Sequence, residues 1–150
     1  MADKRNSIRM SDAEAWAFIG ECRNLQFATL NKDGSPHQTT LWFAIDDEAI
    51  FFDSYVKAQK AVNVLRDPRV SLLFEKGIEY GELRGVAVSG KAELVKDSAQ
   101  SVALKTTLGM RYDPDTPEAA HREAGKKTEG KRVVFRVVPE KMISWDHRKM

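Results

Sequence analysis

The chain has 150 residues, the size of one domain spanning 1–150, with 42% hydrophobic and 31% charged residues, ordinary values for a globular fold. Its 24 basic and 22 acidic residues leave a net charge of +2, too near balance for a general nucleic-acid surface. A mean hydropathy of −0.46, with no apolar run near the ~20 residues of a membrane span, excludes an integral membrane helix.

The start, MADKRNSIRM, has charge but no apolar core of the kind a secretory signal needs, and residues 1–10 read as flexible. Ser11-Asp12-Ala13-Glu14 then has capping-box spacing, and Trp16, Ile19 and Cys22 recur at helical intervals, which predicts a helix from Ser11 to Arg23. Cys22 is the one cysteine and permits no intrachain disulfide, in keeping with a reducing, cytoplasmic setting. A strand is predicted at Leu25 to Leu30, and the turn-rich Asn31 to Pro36 leads into a second at His37 to Ile45. Asp46-Asp47-Glu48 turns that strand back into Ala49 to Ser54, so a three-stranded meander is expected. A short amphipathic helix follows from about Ala58 to Arg66, stopped by Asp67-Pro68, and then a strand from Val70 to Phe74.

Glu82 to Val95 alternates over a length that predicts one long bent strand, with Gly85 and Gly90 at bends or bulges. A helix is predicted over Ser98 to Met110, capped at Asp97 or Ser98. Tyr112 to Gly130, polar and rich in Pro and Gly, reads as a mobile loop or lid with one helical turn from Pro117. Val133 to Val138 is the last full strand, Pro139-Glu140 a turn, and Met142 to Trp145 a strand end. About six short strands without βαβ alternation predict a mostly antiparallel, closed barrel.

The stretch Phe51 to Phe74, FFDSYVKAQKAVNVLRDPRVSLLF, is where chemistry concentrates. A strand that turns into a helix start is a natural anion site, because the first backbone N–H groups lack intrahelical partners and the dipole favours negative charge. Lys57 and Lys60, three residues apart, share a face of that first turn, and Ser54 offers a hydroxyl at the strand end. The pattern predicts a phosphate site. In the second strand, Gln38, Thr40 and Trp42 share one face, and His37, Thr39, Leu41 and Phe43 the other. His37 and His121 have no Cys, His or carboxylate at ligand spacing, so no metal is expected. The basic groups at Lys126-Lys127, Lys131-Arg132 and Arg148-Lys149 read as solvated surface.

This stretch resembles the phosphate-binding segment of the pyridoxamine 5′-phosphate oxidase-like split-barrel family. That segment runs through an aromatic strand, Thr/Ser, a short turn, Ser-Arg-Lys, and a helix ending in Asn/Asp-Pro-Arg-Val. Ser54 stands at the Thr/Ser, Lys60 at the motif's Lys, and Asp67-Pro68-Arg69-Val70 at the exit, with Ala58 and Gln59 in the places of Ser and Arg. The segment Gly34 to Phe43 is similar to the family's cofactor-facing strand, which implies that Gln38, Thr39, Thr40 and Trp42 contact the cofactor. Thr39 and Ala44 stand where members that bind flavin mononucleotide (FMN) carry Arg and Lys. The run Gly34-x-Pro36 followed by Trp42 looks more like the branch that binds the deazaflavin F420. Trp145 is similar to the family's terminal Trp near the ring edge, with His147 placed to donate to a ring carbonyl or move a proton.

The resemblance covers about Leu25 to Trp145. It implies a mainly β fold, an FMN-binding split β-barrel of about six antiparallel strands with short helices, paired as a homodimer with the cofactor groove at the interface. The implied activity is that of an oxidoreductase using F420, or alternatively FMN, for hydride transfer to or from a small organic substrate. The pocket over the ring would involve Trp42, Tyr55 and the Tyr112 loop. The same groove would equally serve a non-catalytic carrier or sensor, or a haem-handling member of the fold.

Overall fold

The computed structural model describes residues 3–150. Among them are seven strands: β1 Leu25–Leu30, β2 Pro36–Leu41, β3 Ala44–Asp46, β4 Ala49–Tyr55, β5 Arg69–Lys76, β6 Arg84–Leu94 and β7 Arg132–Asp146. The helices are α1 Lys4–Ser7, α2 Asp12–Glu21, α3 Gln59–Arg66, α4 Ser98–Tyr112 and α5 Glu118–Lys127. Every strand pair is antiparallel, in the order β2-β1-β5-β6-β7-β4-β3. The two edges, β2 and β3, are successive parts of one segment joined through Trp42-Phe43, so the sheet curls until its edges meet at that joint. This is a mainly β split barrel.

The predicted strand from His37 to Ile45 is therefore two strands: both antiparallel pairings of the expected meander form, β1 with β2 and β3 with β4, but its middle strand is split between the two edges of the sheet. Phe43 is fully buried whereas Trp42 is 58% exposed. The backbone of Phe43 leaves the ladder because side chains from the last turn of α4 take its polar groups. Its N–H donates to Tyr112 Oη at 3.1 Å, and its carbonyl accepts from the Arg111 guanidinium at 2.9 Å. Inside the barrel, aromatic rings fill the core, with Phe27 against Phe52 at 4.6 Å and Phe43 against Phe74 at 4.8 Å between centroids. Burial of this kind supplies most of the folding drive.

The capping box at Ser11 and Glu14 is formed, and Cys22 follows α2 as a buried C-cap residue. The flexible start expected for residues 1–10 is not what residues 3–10 show, and residues 1–2 lie outside the described residues. Met10 is buried, its N–H donates to Ser144 Oγ at 3.0 Å, and Ile8 O accepts from the Asp146 N–H at 2.7 Å. An apolar anchor and backbone bonds to β7 thus tie this arm down.

Two further expectations change. Pro139-Glu140 is not a turn: β7 runs on to Asp146, with Pro139 opposite Gly90 and Lys141 opposite Ser89, so Glu140 is the extra residue of a bulge where proline cannot donate to the ladder. The stretch from Tyr112 to Gly130 is not a loose lid either, because α5 packs against α4. Lys105, 7% exposed, reaches from α4 to Glu129 Oε1 at 2.7 Å, and Ser101 Oγ donates to the same oxygen at 2.7 Å. Glycine makes the close approach possible, since a Cβ on Gly109 would collide with the His121 ring. The long strand expected at Glu82 to Val95 is β6, irregular at Ser89/Gly90.

Candidate functional site

The end of β4 and the first turn of α3 form one wall of a cleft of about 300 Å³. Into it come Leu41 and Trp42 from the barrel joint, Asp53, Ser54 and Tyr55 from β4, Lys60 from α3, Leu108 from α4 and Arg132 from β7. The predicted residues Ser54, Lys60 and Trp42 are therefore brought together.

The orientation of α3 is set by Asn63, which is fully buried. Its Nδ2 donates to Thr29 Oγ1 and to Asn31 Oδ1, both at 3.0 Å, and its Oδ1 accepts from Gln59 Nε2 at 2.7 Å. Arg66 donates to Leu30 O. These bonds pin the helix to the end of β1. No side chain caps its N-terminus at Ala58, so the first-turn N–H groups remain open to a guest. Lys60 is half-buried and enters no ion pair among the described residues.

Other predicted residues stand elsewhere. Lys57 is exposed in the preceding turn and does not line the cleft, Ala58 is the N-cap residue, and the Gln59 amide is held by Asn63. Ser54 is 2% exposed and its hydroxyl donates to Tyr55 O at 3.0 Å, which commits its proton to its own strand. Gln38 and Thr40 are on the exposed face of β2, where Thr40 Oγ1 donates to Gln26 Oε1 at 2.7 Å. Exposure alternates on through Trp42, so Gln38, Thr40 and Trp42 all face outward as period two predicts, but of the three only Trp42 lines the cleft. The opposite face is the inward one: His37, Thr39 and Leu41 pair across with Thr29, Phe27 and Leu25, all buried. His37 Nδ1 and Thr39 Oγ1 are buried without a hydrogen-bond partner. Unsatisfied buried polar atoms are rare in folded proteins, and these two lie on the same face as Leu41, which lines the cleft.

Trp145 and His147 line a different cleft, of about 770 Å³, between β7 and the N-terminal arm. The Trp145 indole packs on Gly85, where a Cβ would collide with it. His147 is anchored rather than a loose tail: its Nδ1 lies 2.7 Å from Tyr80 O, which places the ring proton on that nitrogen, and its backbone N–H donates to Leu83 O at 2.9 Å. Within one chain, then, these two residues and Lys60 do not meet.

Sequence reasoning missed Arg132, which it left among the solvated charges. Arg132 grips Asp53 in a two-pronged pair, Nε to Oδ2 at 2.8 Å and Nη2 to Oδ1 at 3.1 Å, and its guanidinium lies 4.4 Å from the Tyr55 ring centroid. The carboxylate raises the pKa of Arg132 further. The role of Arg132 is not visible without the long-range pairing of β4 with β7. Tyr112, expected with Trp42 and Tyr55 around the ring pocket, backs the cleft from the end of α4, stacked on Trp42 at 4.3 Å with the rings 5° from parallel. Burial pushes the Cys22 thiol up to about 11, so it is no nucleophile at neutral pH.

The sequence model of a family described as pyridoxamine 5′-phosphate oxidase matches residues 11–146. A pyridoxine/pyridoxamine 5′-phosphate oxidase of Kineococcus radiotolerans is 34% identical over 92 residues, 57% of this chain and 40% of that protein. The chain thus spans about two fifths of the length of that relative. Among solved structures, a conserved hypothetical protein from Mycobacterium tuberculosis is 38% identical with a TM-score of 0.89, over 99% of this chain and 92% of its own. An F420 reductase is 27% identical with a TM-score of 0.64, over 84% of this chain and 93% of its own. HutZ, the haem storage protein from Vibrio cholerae, is 20% identical with a TM-score of 0.71 over 89% of this chain and 94% of its own, a likeness of fold alone. With a family match across nearly its whole length and the split barrel to go with it, the chain belongs to the pyridoxamine 5′-phosphate oxidase family.

Proposed function

We propose that the Lys60 cleft holds the phosphate and ring of a flavin-type cofactor, F420 in preference to FMN, and that the chain is an oxidoreductase acting on a small organic substrate. The observation that carries this reading is Lys60 itself, an unpaired cation beside an uncapped helix start. The residues present fit such a group. The first-turn N–H groups of α3 and the Lys60 ammonium suit a phosphate oxygen, and Trp42 backed by Tyr112 offers a flat wall. When bound, the cofactor supplies hydride chemistry, and the protein contributes binding, orientation and exclusion of water.

The preference for F420 rests on Thr39, Ala44 and Gln59, which stand where FMN-binding relatives carry cationic residues, and on the 27% identity to an F420 reductase. A doubly charged terminal phosphate asks for more cationic donors than a phosphodiester does. A homodimer, in a cytoplasmic setting, belongs to the same reading: Trp42 and Tyr55 are 58% and 60% exposed at the cleft, and a second copy would cover them. Side-by-side fluorescence titration with both cofactors tests this. Tighter binding of F420 is expected. Tighter binding of FMN reverses the preference, binding of neither at micromolar concentration removes the reading, and binding without turnover makes the protein a carrier or sensor.

A further inference from the structure

The cleft assigned to an anion also contains a carboxylate. Asp53 and Lys60 line it together, along with Arg132. A carboxylate beside an anion site works against binding unless something offsets it, and here the offset is complete: both Asp53 oxygens are taken by the Arg132 fork, at 2.8 and 3.1 Å. The neutralisation runs in both directions. With Nε and Nη2 committed to Asp53 and the Tyr55 ring 4.4 Å from Cζ, Arg132 cannot offer its fork face-on to a phosphate. Lys60 is thus the one uncompensated cation among the described residues lining the cleft. Lys57, one turn earlier, is exposed and outside it.

We propose that Asp53 is a specificity-determining residue: by occupying Arg132 it keeps the cleft at a single net positive charge, which favours a singly charged phosphodiester over a doubly charged phosphate monoester. This rests on the cofactor reading above and adds to it the side chain that sets the choice. The competing view is that Asp53 and Arg132 merely clasp β4 to β7. Arg132 is paired across the ladder with Tyr55, and Asp53 lies two residues earlier in β4. A clasp would affect stability and leave selectivity alone.

The test uses the full-length protein in three forms, Asp53→Asn, Arg132→Gln and the double variant. Each is titrated with F420 and with FMN at pH 8, where a phosphate monoester is doubly charged. In Asp53→Asn the cleft gains one net charge, which acts twice on a dianion and once on a monoanion, so the ratio of FMN to F420 affinity should rise by about tenfold. In Arg132→Gln the uncovered carboxylate should weaken both cofactors and FMN more. The double variant restores the single net charge and should return the ratio to the wild-type value, whatever the loss in melting temperature. An unchanged ratio in Asp53→Asn, or a double variant that keeps the shifted ratio, overturns the role of Asp53 while leaving the cofactor reading intact. Failure of the wild type to bind either cofactor overturns both.

Discussion

Asn63 has no contact with the cleft of its own, yet the place of Lys60 depends on it. Its side chain makes bonds to Thr29, Asn31 and Gln59 within a fully buried position, and truncation leaves the Thr29 hydroxyl, 2% exposed, without that partner. Asn63→Ala should cost about 1–3 kcal/mol, seen as a drop of several degrees in melting temperature, and should weaken cofactor binding as the helix loosens. An unchanged melting temperature would show that α3 is held by its apolar face alone. The contrast between Lys60 and Arg132 shows what single residues disclose. Lys60 was legible because its setting is local: a strand end, a turn and a helix start within ten residues. Arg132 was not, since its meaning comes from Asp53, far away in sequence and brought near only by the β4–β7 ladder. The outward face shared by Gln38, Thr40 and Trp42 was legible from period two, but that only Trp42 lines the cleft was not, because it depends on where β4 and α4 lie.

Between elements, the contact of α5 with α4 is the least expected part of the fold. The sequence from Tyr112 to Gly130 looked structureless because its helical stretch is polar on nearly every side. What holds it is one buried lysine and the close approach of His121 to Gly109, features with no periodic signature. The Lys105 ammonium, with help from Ser101, holds the Glu129 carboxyl below its usual range. A carboxyl depressed in the folded state contributes stability above its unfolded pKa, and that contribution is lost as pH falls through the folded value. Asp146, 4% exposed and bonded by Arg148, is depressed in the same direction and adds to the same acid loss. Thermal melts from pH 7 down to 3 should therefore show stability falling below the ordinary carboxyl range. Lys105→Ala should lose about 2 kcal/mol at neutral pH and show a shallower fall on acidification. Parallel pH profiles for the two proteins would mean that the ion pair does not couple α5 to the rest.

For the whole molecule, the number and kind of elements were largely readable, while the barrel's closure was not. Two edge strands that are successive parts of one segment, β2 and β3, look from the sequence like a single strand in a meander, and the joint that separates them is held by Arg111 and Tyr112 from the far end of α4. The same joint puts Trp42 at the mouth of the cleft, mostly exposed, which is the observation behind the proposed homodimer. Sedimentation velocity at micromolar concentration should give the mass of two chains. A monomer with full cofactor affinity would show that one chain completes the site by itself.

The most direct measurement is fluorescence titration of F420 into wild type and Lys60→Ala, with unchanged circular dichroism and melting temperature as the control for folding. Loss of one charge-assisted contact predicts affinity weaker by roughly ten- to a hundredfold, with Lys57→Ala close to wild type. Equal affinity of Lys60→Ala and wild type would contradict the placement of the cofactor's phosphate at the start of α3.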